Sequence, residues 1–360
     1  MGSIGILTAG GNDGEIGGNI AHFRRLGKMA QQMGQTMALF QVNRDGSVDP
    51  YEWVGKRERY VPQPKLSVSP VLYNRIPSRP LEISRKIQGK MDEWESNGHV
   101  ITNPHFLSKW ELAKIWREEE LIRGYLLETE QLVDADDLAH WLEERSSFYL
   151  KPISGKAGIG MMHLQKTAYG THVREQLKGK LIDHGTMNWR ELNWYLGNSR
   201  RYGRYLLQEE ANVATWNGRR FDVRMLLHHK PESRFSVTGM AIRSAPLGSV
   251  TTHVPNGGSR DRIDRVFADV FGNERDVIIS ELVSAGEAAA SAIARTPGTW
   301  TELSMDASVT PDGRPILFEA NSKPMKFDER DIEQYGKRRL LDSLTSIARR
   351  MEKRYQGMIK

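Results

Sequence analysis

The sequence predicts an α/β fold in several parts, and three observations lead to this prediction. Near the N-terminus a strand, a helix and a second strand follow one another, an order typical of a parallel sheet. Two Gly-rich loops, over residues 9–14 and 154–160, each follow an apolar run. Asp312-Gly313 separates two further apolar runs and so indicates a β-hairpin. A chain of 360 residues, 39% of them hydrophobic, is long enough for two or more domains.

The composition excludes several classes of protein. The chain has 51 Lys and Arg against 45 Asp and Glu, a pI near 9.3 and no cysteine. Without cysteine there is no disulfide, thiolate metal site or cysteine nucleophile. A net charge of +6 without a long basic block gives no indication of nucleic-acid binding. No apolar run approaches the roughly 18 residues of a membrane span, and no signal peptide is recognised. We therefore expect a cytoplasmic protein with no membrane contact.

Residues 1–102 are predicted to form a small Rossmann-like α/β domain. Strands are expected at residues 4–7, 36–42 and 71–74. Between the first two, residues 19–33 repeat apolar side chains at helical spacing.

The remainder is divided into three further segments. Residues 103–206 are expected to form a lid subdomain, with a strand that ends at Lys151-Pro152 because proline cannot continue a ladder. Residues 207–330 are expected to form a strand-rich subdomain with one Ala-rich helix over 278–294. Residues 331–360 are predicted to form a basic helix that packs through an apolar stripe.

The predicted hairpin near the C-terminus carries the most informative polar residues. If Asp312-Gly313 is a two-residue turn, Asp306 lies directly opposite Glu319 and both point to one face. Asn321 shares that face because it lies two residues further along the strand. Two carboxylates and an amide oxygen suit Mg²⁺ or Mn²⁺ rather than zinc. The alternative is a solvated polar face.

A second cluster offers positive charge next to a flexible loop. Lys151 precedes a loop whose backbone N–H groups can turn towards phosphate. The spacing is not that of a Walker motif, and an exposed loop is the alternative. The loop residues of interest are Ser154, Gly155, Lys156, Gly158 and Gly160.

Two more clusters complete the set of candidates. The run Gln208, Glu209, Glu210 and Ala211 follows a strand and could clamp an adenine through its backbone, with Asp222 accepting from ribose hydroxyls and Arg224 beside it. Arg243 and the loop over residues 251–260 could stabilise a charged intermediate.

Taken in order, these pieces resemble the ATP-grasp superfamily over residues 103–325. Asp222-Val223-Arg224, the later arginine and the loop at Asn256 look most like the ribosomal-protein glutamate ligases. A closer resemblance, over nearly the whole chain, is to the endospore coat-associated YheC/YheD family. It is carried by residues 4–8, 73–79, Lys151-Pro152 and 318–324. It implies an ATP-grasp fold, in which two α+β subdomains enclose ATP, preceded by the Rossmann-like domain.

The resemblance also implies roles for the nucleotide and metal residues. Lys109 and Lys151 would hold ATP phosphates under the loop at 154–160. Residues 209–211 would hold adenine, and Asp222 the ribose. Two Mg²⁺ ions would be bound by Asp306, Glu319 and Asn321.

The acceptor side is less well defined by the resemblance. Arg243 and Asn256 would face an acyl phosphate. Basic and glycine residues are expected near the acceptor, although interdomain salt bridges are the other interpretation of the two arginines: Arg75, Arg79, Gly257, Gly258 and Lys323. Ser304, Lys323 and Met325 depart from the residues usual in relatives.

The implied activity is that of an ADP-forming carboxylate–amine ligase. It would add an amino acid, with glutamate favoured, to an acidic peptide or protein carboxylate. The alternatives are an ATP-grasp kinase acting on a hydroxyl and a non-catalytic spore coat protein. The resemblance further implies a paralogous partner and an association with the spore coat.

Overall fold

In the part of the chain that the structure describes, three sheets follow one another, each formed by its own stretch of sequence. A computed structural model describes residues 4–10, 15–155, 158–230, 234–245, 259–324 and 330–358. Lys156, Asn256, Gly257 and Gly258, which were among the candidate site residues, lie outside the described residues.

The N-terminal domain is an α/β unit whose central strands are parallel. Its elements are β1 (Ile4–Ala9), α1 (Ile20–Gln32), β2 (Met37–Val42), β3 (Val48–Val54), β4 (Arg59–Pro62), β5 (Val71–Asn74), α2 (Arg79–Glu82), α3 (Arg85–Ser96) and β6 (Val100–Thr102). The strand order is β4-β3-β2-β1-β5-β6, and β1 is parallel to both β2 and β5. All six residues of β1 are buried, as expected of a strand covered on both faces.

The second unit is an antiparallel sheet with helices on one face. Its elements are β7 (Thr129–Leu132), α5 (Ala135–Glu144), β8 (Ser147–Pro152), β9 (Met161–Thr167), β10 (Gly170–Leu177), β11 (Lys180–Met187), α6 (Trp189–Asn198) and β12 (Tyr205–Glu209), in the strand order β11-β10-β9-β8-β12-β7. Leu138 and Trp141 of α5 and Leu192 of α6 form its core with Phe148 and Leu150 of β8. The alternate β8 residues therefore face away from this core.

The third unit is a second antiparallel sheet. Its elements are α4 (Lys109–Arg117), β13 (Thr215–Trp216), β14 (Arg219–His229), β15 (Phe235–Ser244), β16 (Ser259–Asp261), α7 (Ile263–Phe271), α8 (Arg275–Ala294), β17 (Glu302–Val309) and β18 (Pro315–Asn321), in the strand order β16-β15-β14-β17-β18. Helix α8 covers one face, where Leu282 and Ala289 pack against Val223, Met225 and Met305.

The last helix joins the first and third units. Helix α9 (Arg330–Met358) buries Leu340, Leu341 and Leu344 in the same cluster as Ile4 and Phe23 of the N-terminal domain. It also contacts β14 and β15. The predicted apolar stripe on this helix is thus confirmed as a packing surface.

The observed units differ from two of the expected boundaries. Residues 109–117, expected in the lid, form α4, whose Trp116 donates a hydrogen bond to the Ala289 carbonyl (3.1 Å) in the core of the third unit. The boundary expected after residue 206 falls inside β12. The whole of β12 belongs to the second unit, because this strand pairs with both β7 and β8.

Among the residues that the structure describes, one stretch is long and apolar enough to cross a membrane by length and composition alone. This stretch, Ile263–Ala294, comprises α7 and α8. The expectation that no such stretch exists was therefore wrong. Leu282, Ala289 and Ile293 are fully buried against the third sheet, which makes α8 a core helix of this fold.

Candidate functional site

The third sheet has one apolar face and one polar face. Val223 and Met225 of β14 point into the core under α8, so Asp222 and Arg224 point to the opposite face. Arg224 lies directly opposite Asp306 of β17, and Asp222 opposite Arg243 of β15. Strand pairing therefore collects charged residues on the polar face.

The hairpin of β17 and β18 places two carboxylates side by side. Asp306 is paired with Glu319, as predicted, and Ser304 is paired with Asn321. All three predicted metal ligands, Asp306, Glu319 and Asn321, thus lie on the polar face.

The turn of this hairpin is not the predicted one. Thr310, not Pro311, faces Arg314: the Thr310 amide donates to the Arg314 carbonyl (2.9 Å), and the loop has three residues with Gly313 at φ +87°. This loop shifts the register by one residue. A bulge at Phe318 shifts it back, so that Asp306 still meets Glu319.

Asp306 is held by two arginines. Its two carboxylate oxygens each accept from Arg224 (2.9 and 2.9 Å), and Arg243 Nη2 lies 3.0 Å from Oδ2. Burial alone would raise the pKa of Asp306, but the guanidinium groups of Arg224 and Arg243 hold this pKa well below its usual range. Asp306 is therefore an anion surrounded by cations.

Glu319 is paired with the lysine at the start of α4. Lys109 Nζ lies 3.1 Å from Glu319 Oε2, and this charge lowers the pKa of Glu319. The helix begins at Lys109 because Ser108 and Glu111 form a reciprocal capping box. The Lys109 amide also donates to the Ile153 carbonyl, which ties the helix start to the end of β8 (3.1 Å).

Lys151 reaches the same region from the second sheet. It lies on the face of β8 that turns away from the core, and its ammonium group donates to Gln208 Oε1 on β12. It also lies 5.6 Å from the Tyr149 ring and 5.8 Å from the Phe318 ring. Burial lowers the pKa of Lys151 to about 8. Lys151 thus stands between the two antiparallel sheets.

The glycine loop joins β8 to β9. Gly158 and Gly160 have positive φ (+69° and +80°), and the Gly160 amide donates to the Gln176 carbonyl (2.7 Å). Ser154 and Gly155 lie two and three residues after the end of β8, the strand that carries Lys151. The described part of the loop therefore lies next to this lysine.

The linker after β12 is anchored by its neighbours. Glu209 accepts a hydrogen bond from the Glu128 amide (3.0 Å), while Gln208 donates to Thr129 Oγ1 (2.9 Å). The Glu210 carboxylate points to Ser147, His163 and Arg220 rather than outwards. Ala211 follows this anchored segment.

The expected ribose ligand is engaged elsewhere. Both carboxylate oxygens of Asp222 accept from Arg243, at 2.7 and 2.6 Å, and the residue is 4% exposed. Because the two residues face each other on adjacent strands, the ion pair forms within the sheet. The side chain of Asp222 therefore positions Arg243 in this structure, and its contact with ribose stays a prediction.

Three basic residues expected at the acceptor are instead part of the contact between the first and third units. Lys323 is buried against Glu82 and donates to Asn74 Oδ1 (2.8 Å), and burial lowers its pKa to about 8. Arg79 donates to the Phe106 carbonyl. Arg75 donates to the Pro324 carbonyl (2.9 Å) and lies 3.4 Å from Glu302. These contacts agree with the interdomain interpretation of the two arginines, and a substrate contact of the three residues stays a prediction.

Several residues at the site were missed by the sequence reasoning. Tyr149 could have been found, because it lies two positions before Lys151 and so shares its face of the strand. His163 and Arg220 had no sequence signal, since their contacts depend on how two sheets meet.

The oxygen ligands that the protein supplies are of the type that a hard divalent cation prefers, but they are too few to complete its coordination. No group of three or more His, Asp and Glu that could hold a metal is present among the residues described. Asp306 and Glu319 supply oxygens, with Asn321 on the same face, so phosphate oxygens of a nucleotide would have to complete the coordination. The residues present are compatible with Mg²⁺ bound together with a nucleotide.

These sheets, with an α/β domain before them, have counterparts among solved structures. D-cycloserine synthetase DcsG is 13% identical, with 97% of this chain and 100% of that chain covered and a TM-score of 0.55. The D-alanine–D-alanine ligase from Coxiella burnetii is 10% identical, with 99% and 98% covered and a TM-score of 0.53. The fold is that of the ATP-grasp proteins.

Family membership follows from the sequence comparison. The chain belongs to the YheC/D-like ATP-grasp family, whose model matches residues 98–351. The endospore coat-associated protein YheD of Bacillus subtilis (strain 168) is 24% identical over 359 residues, covering 95% of this chain and 76% of that protein. The predicted family and fold class are both confirmed.

Proposed function

We propose that the chain is an ATP-dependent carboxylate–amine ligase that releases ADP. The observation that carries this proposal is the meeting of opposite charges between the two antiparallel sheets. Asp306 and Glu319 lie side by side on one sheet, with Lys109 at 3.1 Å from Glu319 and Lys151 opposite, on the other sheet. Phosphoryl transfer requires this combination of positioning and charge neutralisation.

ATP and two Mg²⁺ ions, with Mn²⁺ as an alternative, are the proposed cofactors. Asp306, Glu319 and Asn321 would hold the metal ions, and Lys109 and Lys151 the phosphates, with the loop at 154–160 covering them. When bound, Mg-ATP supplies the phosphoryl group that activates a carboxylate. Gln208 keeps Lys151 directed into the cleft, and Asp222 keeps Arg243 beside Asp306.

The amine acceptor step would use the arginine on β15. Arg243 carries a charge stabilised by Asp222 and Asp306, and with Asn256, Gly257 and Gly258 it would face the acyl phosphate. An amine would attack the acyl carbon, the acyl C–O bond would break to release inorganic phosphate, and the nitrogen would lose a proton to give the amide. Excluding water from this cleft protects the intermediate from hydrolysis.

The substrate class rests on the sequence pattern at Asp222-Val223-Arg224 and on the names of relatives. D-alanine–D-alanine ligase and D-cycloserine synthetase act on amino acids or their derivatives by name. We propose addition of an amino acid, glutamate first, to a peptide or protein acceptor. The name of YheD, an endospore coat-associated protein, supports an association of this chain with the endospore coat. We further propose a cytoplasmic location and a paralogous protein as partner.

The test is ADP release in the presence of Mg²⁺, each amino acid and a set of plain and phosphorylated peptides. We expect ADP release that depends on one amino acid and falls about a hundredfold or more in Glu319→Gln. The control is Glu93→Gln, whose carboxylate pairs with Lys90 on helix α3 of the N-terminal domain.

Two results would contradict the proposal. Phosphate transferred to a peptide hydroxyl without any amine would identify a kinase. Absence of nucleotide binding would identify a non-catalytic protein.

A further inference from the structure

The side chain of Glu210 joins the two antiparallel sheets. Its carboxylate accepts from Ser147 Oγ of β8 (2.6 Å), from His163 Nε2 of β9 (2.9 Å) and from Arg220 Nη2 of β14 (2.7 Å). The hydrogen bond from His163, with those from Ser147 and Arg220, lowers the pKa of Glu210 although burial acts in the opposite direction. The carboxylate is therefore ionised and shared by both sheets.

The contacts continue on either side of Glu210. His163 Nδ1 accepts from Arg174 Nη2 (3.0 Å), so the ring carries its proton on Nε2, directed at Glu210. Arg220 Nη1 also donates to the Tyr149 hydroxyl (3.2 Å), and the Tyr149 ring lies 4.9 Å from the His163 ring. We call Ser147, Tyr149, His163, Arg174, Glu210 and Arg220 the Glu210 network.

The network lies at one end of the cleft that contains Lys151. Strand β8 runs from Ser147 towards the glycine loop, and Lys151 is at the loop end. Tyr149 is two residues back, about 7 Å along the strand and on the same face. A nucleotide whose phosphates contact Lys151 and the loop, and which extends back along β8, places its base beside Tyr149.

We infer that the Glu210 network holds Tyr149 in place as one wall of the base-binding end of the nucleotide site. Glu210 acts as a positioning residue, and its contacts couple binding of the base to the packing of the two antiparallel sheets against each other. The inference rests on the proposed function, since it requires a nucleotide in this cleft. It assigns the Glu210 side chain to the protein scaffold, because its carboxylate is occupied by three donors.

Removing the charge of Glu210 should affect one end of the ligand only. In Glu210→Gln the amide cannot accept from His163, Ser147 and Arg220 together, so Arg220 loses a charged partner and Tyr149 loses its fixed position. A hydrogen bond to a charged group contributes roughly 1.5–3 kcal/mol. Lys151 keeps its hydrogen bond to Gln208 and Lys109 keeps its pairing with Glu319, so both keep their attraction for phosphate.

The experiment compares two ligands on the full chain by isothermal titration calorimetry. Mg-ATP contacts both ends of the cleft, whereas Mg-tripolyphosphate reaches only the phosphate end. We expect Glu210→Gln to raise the Kd of Mg-ATP about tenfold, with the Kd of Mg-tripolyphosphate changed less than about twofold. The matched control, Glu93→Gln, removes an ion pair on helix α3 of the N-terminal domain and should change neither value.

A second variant, Tyr149→Phe, which removes only a hydroxyl group, tests the same inference if Glu210→Gln does not fold. Tyr149→Phe retains the ring and loses only the contact with Arg220, so we expect ATP affinity to fall roughly threefold and tripolyphosphate affinity to be retained. Equal weakening for both ligands would overturn the inference, as would wild-type affinity for ATP in both variants. If the wild-type chain binds neither ligand, the proposed function itself fails, and the inference with it.

Discussion

At the scale of single residues, the site is a set of anions that are each held by a neighbouring cation. Asp306 lies between Arg224 and Arg243, Glu319 lies beside Lys109, and Lys151 is directed by Gln208. Such pairs keep carboxylates ionised and basic groups charged in a partly buried cleft. Lys151 is the group whose protonation state is most sensitive to pH, because it lacks a carboxylate in direct contact among the residues described.

Lys151 gives a prediction about pH. Burial lowers the pKa of Lys151 to about 8, so its ammonium form is present at pH 7 and mostly lost at pH 9. We expect the wild-type Kd for Mg-ATP to rise roughly tenfold between these two values. Calorimetric titration of Lys151→Arg, whose guanidinium stays charged, should show little change over the same range. An equal rise in both proteins would exclude Lys151 as the titrating group.

At the scale of elements, the hairpin that carries Asp306 and Glu319 shows which features the sequence could predict and which it could not. The alternation of strand residues was enough to predict that the two carboxylates share a face. The turn was wrong by one residue, and the bulge at Phe318 cancelled the error. Ion pairs such as Lys323 with Glu82 could not be predicted, because they join residues from separate units.

The turn gives a prediction about stability. Gly313 has φ +87°, and an added Cβ would approach Ile278 Cδ1 to 2.5 Å. We expect Gly313→Ala to lower the free energy of unfolding by about 2 kcal/mol in urea titrations. Gly218→Ala is the control, since φ is +72° and no atom lies within 4 Å of its added Cβ. If Gly313→Ala lowers the free energy of unfolding no more than Gly218→Ala does, the prediction is contradicted, because Ile278 then moves away from the added Cβ without a loss of stability.

At the scale of the whole molecule, the first and third units meet over a buried polar contact. Glu302 of β17 accepts from the Tyr73 hydroxyl and lies near Arg75 and His228. Burial raises the pKa of Glu302 to about 8, and burial lowers the pKa of His228 to about 3. Both groups are held largely in their neutral forms near pH 7, so the contact between units should depend on pH.

The sign of this dependence follows from the two pKa shifts. Between about pH 4.5 and 8 the folded state holds a proton on Glu302 that the unfolded state has released, so stability falls as pH rises. His228 acts in the opposite sense, but only below about pH 6.5. From pH 6.5 to 8 we expect the free energy of unfolding to fall by about 1–2 kcal/mol because of Glu302. Urea titrations of Glu302→Gln should show a smaller change; an identical change would assign it to other groups.

The position of α9 has a consequence for the order in which the chain is made. Ile4 of the N-terminal sheet and Phe23 of helix α1 belong to an apolar cluster that Leu340, Leu341 and Leu344 of this helix complete. During synthesis on the ribosome, more than 200 residues separate the completed first sheet from the helix that covers it. Until α9 emerges, part of this apolar cluster is exposed in the nascent N-terminal domain, and we expect chaperones to bind it during translation.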